Sequence, residues 1–172
     1  MKIAPAGTVA LIGPMGAGKS EVGALLARMS HRPFIDTDRA VEAAAGMSIA
    51  QIFQSRGEKE FRRIEEEVVK ESALRKGAVI ACGGGAVESA SAMSALARSG
   101  AIVYLRIDAT SAAARLGSGE GRPLLGGGEV EQKLTKLIQE RSGRYEELAD
   151  LTVDANGPPQ QVAESITEGL AL

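Results

Sequence analysis

The segment Gly13-Pro14-Met15-Gly16-Ala17-Gly18-Lys19-Ser20 separates an apolar run, Thr8 to Ile12, from residues Val22, Leu25, Leu26 and Met29, which recur at helical spacing. A strand, a turn of the form Gly-x4-Gly-Lys-Ser and a helix, in that order, make a P-loop. The arrangement constrains the fold strongly, because a strand feeding directly into a helix is the repeating unit of a layered α/β sheet. It also constrains the chemistry. Glycines let backbone N–H groups converge on phosphate oxygens, and the helix N-terminus adds partial positive charge. Gly13, Gly16, Ala17, Gly18 and the backbone amide of Glu21 are therefore candidate nucleotide-binding positions. Lys19 reaches β and γ phosphates, and the Ser20 hydroxyl is a candidate ligand for Mg2+.

The rest of the chain continues the alternation. Pro33 to Ile35, Ala78 to Cys82, Ala101 to Ile107 and Leu151 to Val153 are short β-rich runs. Between them, helical periodicity covers Val41 to Ala45, Ile49 to Gln54, Phe61 to Leu74, Ser91 to Arg98, Thr110 to Leu116, Val130 to Arg144 and Pro159 to Leu170. The expected fold is a three-layer α/β/α arrangement around a five-stranded parallel sheet, with residues 1–172 forming one domain and no internal repeat or linker. Six of the twelve residues in 117–128 are glycine, and the segment also holds Arg122-Pro123. Such a composition predicts a mobile loop.

Composition narrows the partners. The 172 residues carry 20 Lys plus Arg against 22 Asp plus Glu, a net charge of -2, which argues against a nucleic-acid partner. Cys82 is the only cysteine, so no intrachain disulfide forms and a reducing cytosol is expected. With no Trp, two Tyr and three Phe, a stacking platform is hardly available, and polar ligands have to be held by charge and hydrogen bonds. No apolar run has the length of a membrane helix. Pro5 and Gly7 interrupt the stretch after Lys2, which runs straight into the P-loop, so a secretory signal is not expected.

Asp36-Thr37-Asp38 follows the second strand, which puts two carboxylates at the carboxyl end of the sheet, where ligands of open α/β sheets bind. One can serve Mg2+ and the other can accept a hydrogen bond from a substrate hydroxyl. Asp38 is also suited to N-cap the next helix, and the two roles are compatible. Asp108 ends the strand Ala101 to Ile107 and is a rival metal ligand. Cys82 reads as a small buried residue, and His31 as a helix-end residue.

Taken together, Gly13-x4-Gly18-Lys19-Ser20, Asp36-Thr37-Asp38, Gly57-Glu58-x2-Phe61-Arg62-x2-Glu65, Gly83-Gly84-Gly85 and Arg122-Pro123-Leu124-Leu125 resemble, in order and spacing, the shikimate kinases. The resemblance extends over essentially the whole chain. It implies a nucleoside monophosphate kinase-like architecture with a mobile lid near 117–128. It further implies an enzyme that uses MgATP to phosphorylate the 3-hydroxyl of shikimate on the route to chorismate and aromatic amino acids. On this resemblance Asp38, Arg62, Gly83, Gly84, Gly85 and Arg141 hold shikimate, and Ser20 and Asp36 serve the metal. Lys19, Asp38 and Arg122 are catalytic, with Arg115 and Arg122 also contacting ATP. Shikimate carries one carboxylate and three hydroxyls, which suits guanidinium forks for the acid and carboxylate or backbone groups for the hydroxyls. Arg141 is alternatively a helix C-terminal residue facing the dipole, Arg63 a solvated charge, and the triglycine a plain turn. A cytoplasmic monomer is expected. Related small-metabolite kinases of aminoshikimate or gluconate type remain the alternative, because a fold does not fix its substrate.

Overall fold

The computed structural model describes residues 7–117, 123–125 and 129–172. Five strands, Thr8–Ile12 (β1), Phe34–Asp36 (β2), Val79–Ala81 (β3), Gly100–Arg106 (β4) and Leu151–Asp154 (β5), pair in the order β2-β3-β1-β4-β5, all parallel. The helices are Lys19–Met29 (α1), Thr37–Ala45 (α2), Ile49–Ala73 (α3), Ala90–Ser99 (α4), Ala109–Leu116 (α5), Val130–Leu148 (α6) and Pro159–Leu170 (α7). Two short 3-10 turns, Ala86–Glu88 and Pro123–Leu125, complete the elements.

β1 is the central strand, and all five of its residues are buried. That is why its sequence is continuously apolar rather than alternating, as expected where helices cover both faces of a parallel sheet. Alternate residues serve opposite faces. Val9 and Leu11 pack with Val79, Val103 and Leu105 against Leu26 of α1 and Ile166 of α7. Ala10 and Ile12 pack with Ile80, Ile102 and Tyr104 against Val69 of α3 and Leu96 of α4. A third cluster, Val41, Ile52, Phe61, Ile64 and Val68, joins α2 to α3.

Three local features differ from the expected boundaries. α2 begins at Thr37 rather than Val41, because Asp36 is its N-cap: the Asp36 carboxylate accepts from the N–H groups of Asp38 and Arg39. Asp38 thus lies in the first turn, and the capping role falls to its neighbour. The two helices expected over 49–54 and 61–74 belong to one run, α3, which opens with a reciprocal capping box between Ser48 and Gln51 and is broken at Gly57. Gly57 has φ 80° and ψ 170°, a conformation open essentially to glycine alone. Finally, within the loop expected over 117–128, Pro123–Leu125 forms a turn whose Leu125 is fully buried beside Leu134. The other loop residues at 118–122 and 126–128, and with them the lid expectation and Arg122, lie outside the described residues.

Candidate active site

The parallel order brings the carboxyl ends of β1, β2 and β3 side by side, so the P-loop, Asp36 to Asp38 and Gly83 to Gly85 share one edge of the sheet. Gly16 and Gly18 both have positive φ, and Gly18 starts α1 in a left-handed conformation. Lys19 Nζ donates to the carbonyls of Gly13 and Pro14, each at 2.8 Å. Ala17 is buried, whereas Glu21 is exposed. Arg115 Nη2 donates to the carbonyl oxygens of Asn156 at 2.9 Å and Gly157 at 3.1 Å, and Nη1 reaches Gly16 O at 3.4 Å. It thereby ties the P-loop to the segment leading into α7.

Ser20 Oγ donates to Asp36 Oδ2 at 2.5 Å. The pair offers only hard oxygen donors, and Mg2+ is commonly held by one or two carboxylates together with substrate phosphates. Among the described residues no group of three or more His, Cys, Asp or Glu side chains is arranged as a self-sufficient metal cage. The donor set of Ser20 and Asp36 fits a hard divalent cation such as magnesium. Asp108 does something else: it N-caps α5, accepting from Ser111 N at 2.7 Å and Ser111 Oγ at 2.9 Å.

An open cleft of about 340 Å³ runs from Met15, Ser20, Asp36 and Asp38 to Arg62, Glu65 and Arg141, with Phe53, Phe61, Pro123 and Leu124 among its walls. Arg62 Nη1 donates to Glu65 Oε2 at 2.7 Å and Nη2 to Glu58 Oε1 at 3.2 Å, while its guanidinium lies 5.1 Å from the centre of the Phe61 ring. Burial opposes its charge, but Glu65, Glu88 and Glu58 outweigh burial and hold the guanidinium more firmly protonated. Glu65 is buried, and desolvation pushes its carboxyl above the usual range against the pull of Arg62, with Asp38 and Glu88 adding to the rise. Arg141 Nε donates to Glu88 Oε1 at 2.8 Å, so the charge partner of Arg141 is a carboxylate of the turn after β3. Arg63 instead pairs with Glu60 and Glu67 on the exposed face of α3.

The triglycine is more than a turn. An added Cβ at Gly83 would lie 2.5 Å from Glu65 Oε1 and 2.8 Å from Asp38 Oδ1, and one at Gly85 would overlap the Arg62 guanidinium. Small residues here let α3 and the start of α2 close onto the sheet edge. Gly83 N–H donates to the buried hydroxyl of Thr37 at 2.9 Å, and Tyr145 OH donates to Gly84 O at 2.6 Å, leaving the Gly84 N–H as its backbone group for a ligand. Cys82, beneath them, is buried and its thiol is pushed up to about 12, which leaves it a packing residue. His31 is exposed at the end of α1.

Sequence reasoning missed Glu88 and Tyr145, and it placed Thr37 and Glu65 inside motifs without giving either a role. Glu65 had a signal in its i+3 spacing from Arg62. Thr37, Glu88 and Tyr145 act across the fold, and no local pattern announces the partners they meet there.

A P-loop that shares one sheet edge with an acceptor cleft of paired guanidinium and carboxylate groups defines a small-molecule kinase. The family model for shikimate kinase matches residues 15–171. The chain belongs to the shikimate kinase family. Shikimate kinase of Mycobacterium avium strain 104 is 45% identical over 146 residues, 85% of this chain and 82% of that protein. Shikimate kinase of Rhodococcus jostii strain RHA1 is 37% identical over 162 residues, 94% of this chain and 96% of that protein. The structure of shikimate kinase from Acinetobacter baumannii in complex with shikimate matches with a TM-score of 0.92 at 36% identity, covering 95% of this chain and 92% of that one. A gluconokinase from Sinorhizobium meliloti, at 21% identity and a TM-score of 0.63, shares the fold alone.

Proposed function

We propose that this chain transfers the γ-phosphoryl group of ATP to the 3-hydroxyl of shikimate. The observation that carries the reading is one cleft in which Asp38 and the P-loop Ser20 face the same space as two guanidinium groups, Arg62 and Arg141. A monocarboxylate bearing several hydroxyls suits that set: the forks of Arg62 and Arg141 for the acid, and Asp38 and the Gly84 N–H for hydroxyls.

Phosphoryl transfer asks little covalent chemistry of the protein, so positioning and charge neutralisation dominate. Lys19 exchanges the carbonyls of Gly13 and Pro14 for β and γ phosphates. Asp38 orients the attacking hydroxyl, and Phe53, Phe61, Pro123 and Leu124 wall the acceptor from water. Arg115 supports the nucleotide between the P-loop and residues 156–157, and Arg122 is assigned to the phosphates from its place in the sequence. Ser20 and Asp36 would hold Mg2+, which when bound supplies positive charge to the phosphate oxygens.

A coupled ADP-release assay tests the reading. Shikimate should be turned over, with gluconate and nucleoside monophosphates left untouched; equal turnover of gluconate overturns the acceptor assignment. Lys19→Ala should lower kcat by about 100-fold or more, since a charge aimed at a developing charge is hard to replace.

A further inference from the structure

Glu88 ends the 3-10 turn Ala86–Glu88, and its carboxylate stands between the two guanidinium groups of the cleft. Oε1 accepts from Nε and Nη2 of Arg141, and Oε2 lies 3.8 Å from Arg62 Nε. Arg62 Nε is itself buried without a hydrogen-bond partner among the described residues. The remaining nitrogens of Arg62 face Glu65 and Glu58. A carboxylate spread across two guanidinium groups is the contact that a carboxylate ligand needs, and here a side chain of the protein already makes it.

The N–H groups of Arg141 that face Glu88, and the buried Nε of Arg62, become available to an arriving anion when Glu88 yields. Glu65 cannot yield, because its side chain is 4% exposed and packed beneath Gly83. Glu58 is 53% exposed but meets Arg62 alone, whereas Glu88 is 48% exposed and meets both guanidinium groups, so Glu88 is the carboxylate whose swing frees the pair. Only the side chain is free to swing. The turn beneath it is tied down by Glu88 N–H donating to Gly85 O at 3.0 Å, by Ser89 Oγ donating to Glu66 Oε2 at 2.8 Å, and by Arg144 Nε reaching Val87 O at 3.4 Å. Arg141 is the opposite case, with a side chain 12% exposed. Its partner exchanges while it stays.

We propose that Glu88 is an internal competitor for the carboxylate of the acceptor, holding Arg141 and Arg62 in the free enzyme and tuning acceptor affinity because it has to be displaced. The inference rests on the acceptor assignment above. Displacement opposes every carboxylate equally, so it lowers their affinities together and leaves discrimination among them to the hydroxyl contacts at Asp38. A neutral ester of the same acceptor has no need to displace Glu88.

Glu88→Gln keeps the shape and removes the charge. Calorimetric titration of wild type and variant with shikimate and with its methyl ester should show shikimate binding at least fivefold tighter in the variant, and the ester changed by less than twofold. The KM for shikimate should fall in step while the KM for ATP does not follow. Glu88→Ser provides a second route should Gln disturb the turn, and should shift both ligands in the same directions. Unchanged or weaker shikimate binding in folded variants, or an equal gain for the ester, overturns the proposal. Absence of shikimate binding by the wild type counts against the acceptor assignment instead, so the two failures are distinguishable.

Discussion

Arg62 commits its guanidinium to carboxylates of its own chain, and that explains why it has to be arginine. Lysine keeps the charge but cannot serve Glu65, Glu58 and a ligand in one plane. Arg62→Lys should therefore weaken shikimate binding by at least tenfold, or about 1.4 kcal/mol, read by calorimetry with the thermal melt confirming a fold; unchanged affinity would make the residue structural. Gly85→Ala tests the same spot from the other side, since a methyl there meets the guanidinium, and it should weaken shikimate far more than ATP. Of these contacts the sequence reveals the ones carried by local motifs: Lys19 and Ser20 in the P-loop, and Arg62 beside Phe61. It does not reveal Glu88 or Tyr145. Their partners lie 53 and 61 residues away, and only the fold brings them together.

At the scale of elements, hydrophobic periodicity locates every strand and helix, because apolar faces repeat whether or not the ends are known. The ends are set by polar groups. Asp36 starts α2 well before its first apolar residue, and Gly57 bends a run that periodicity reads as two pieces. Gly57→Ala forces a side chain into a region costing about 1–3 kcal/mol, so the melting temperature should drop by about 2–4 °C per kcal/mol; an unchanged melt would mean that α3 straightens at no cost. Glu66 links α3 to α4 through Ser89 and pairs with Lys70. Its carboxyl is drawn from 4.5 down to about 2, first by Lys70 and then by Ser91 and Ser89. Between those values the unfolded chain binds more protons than the native one, so this stabilisation is present above about pH 4.5 and disappears as pH falls towards 2. Glu66→Gln should flatten the acid limb of the stability curve in that window, and more weakly in high salt because the group is exposed. An identical acid limb would show that the link carries no stability.

Across the whole molecule, two apolar clusters cover the faces of the sheet and the third, between α2 and α3, sits apart from both. Strand-helix alternation predicts the parallel sheet, but neither its order β2-β3-β1-β4-β5 nor the separation of the third cluster from the other two is written in the linear pattern. Ile52 is fully buried within it. Ile52→Ala should cost about 2–5 kcal/mol by leaving a cavity, read by denaturant titration, and should raise the KM for shikimate more than that for ATP. Equal effects on both substrates would show that the cluster is energetically continuous with the sheet cores.

The separateness of that cluster also bears on how such a chain changes over generations. On the proposed assignment, two of the acceptor contacts, Asp38 and Arg62, stand on a helical annex with its own small interior, whereas the P-loop is rooted in the strand at the middle of the sheet. On that assignment, substitutions inside the annex alter acceptor contacts without touching the strand that carries the P-loop, so acceptor preference can drift separately from nucleotide use.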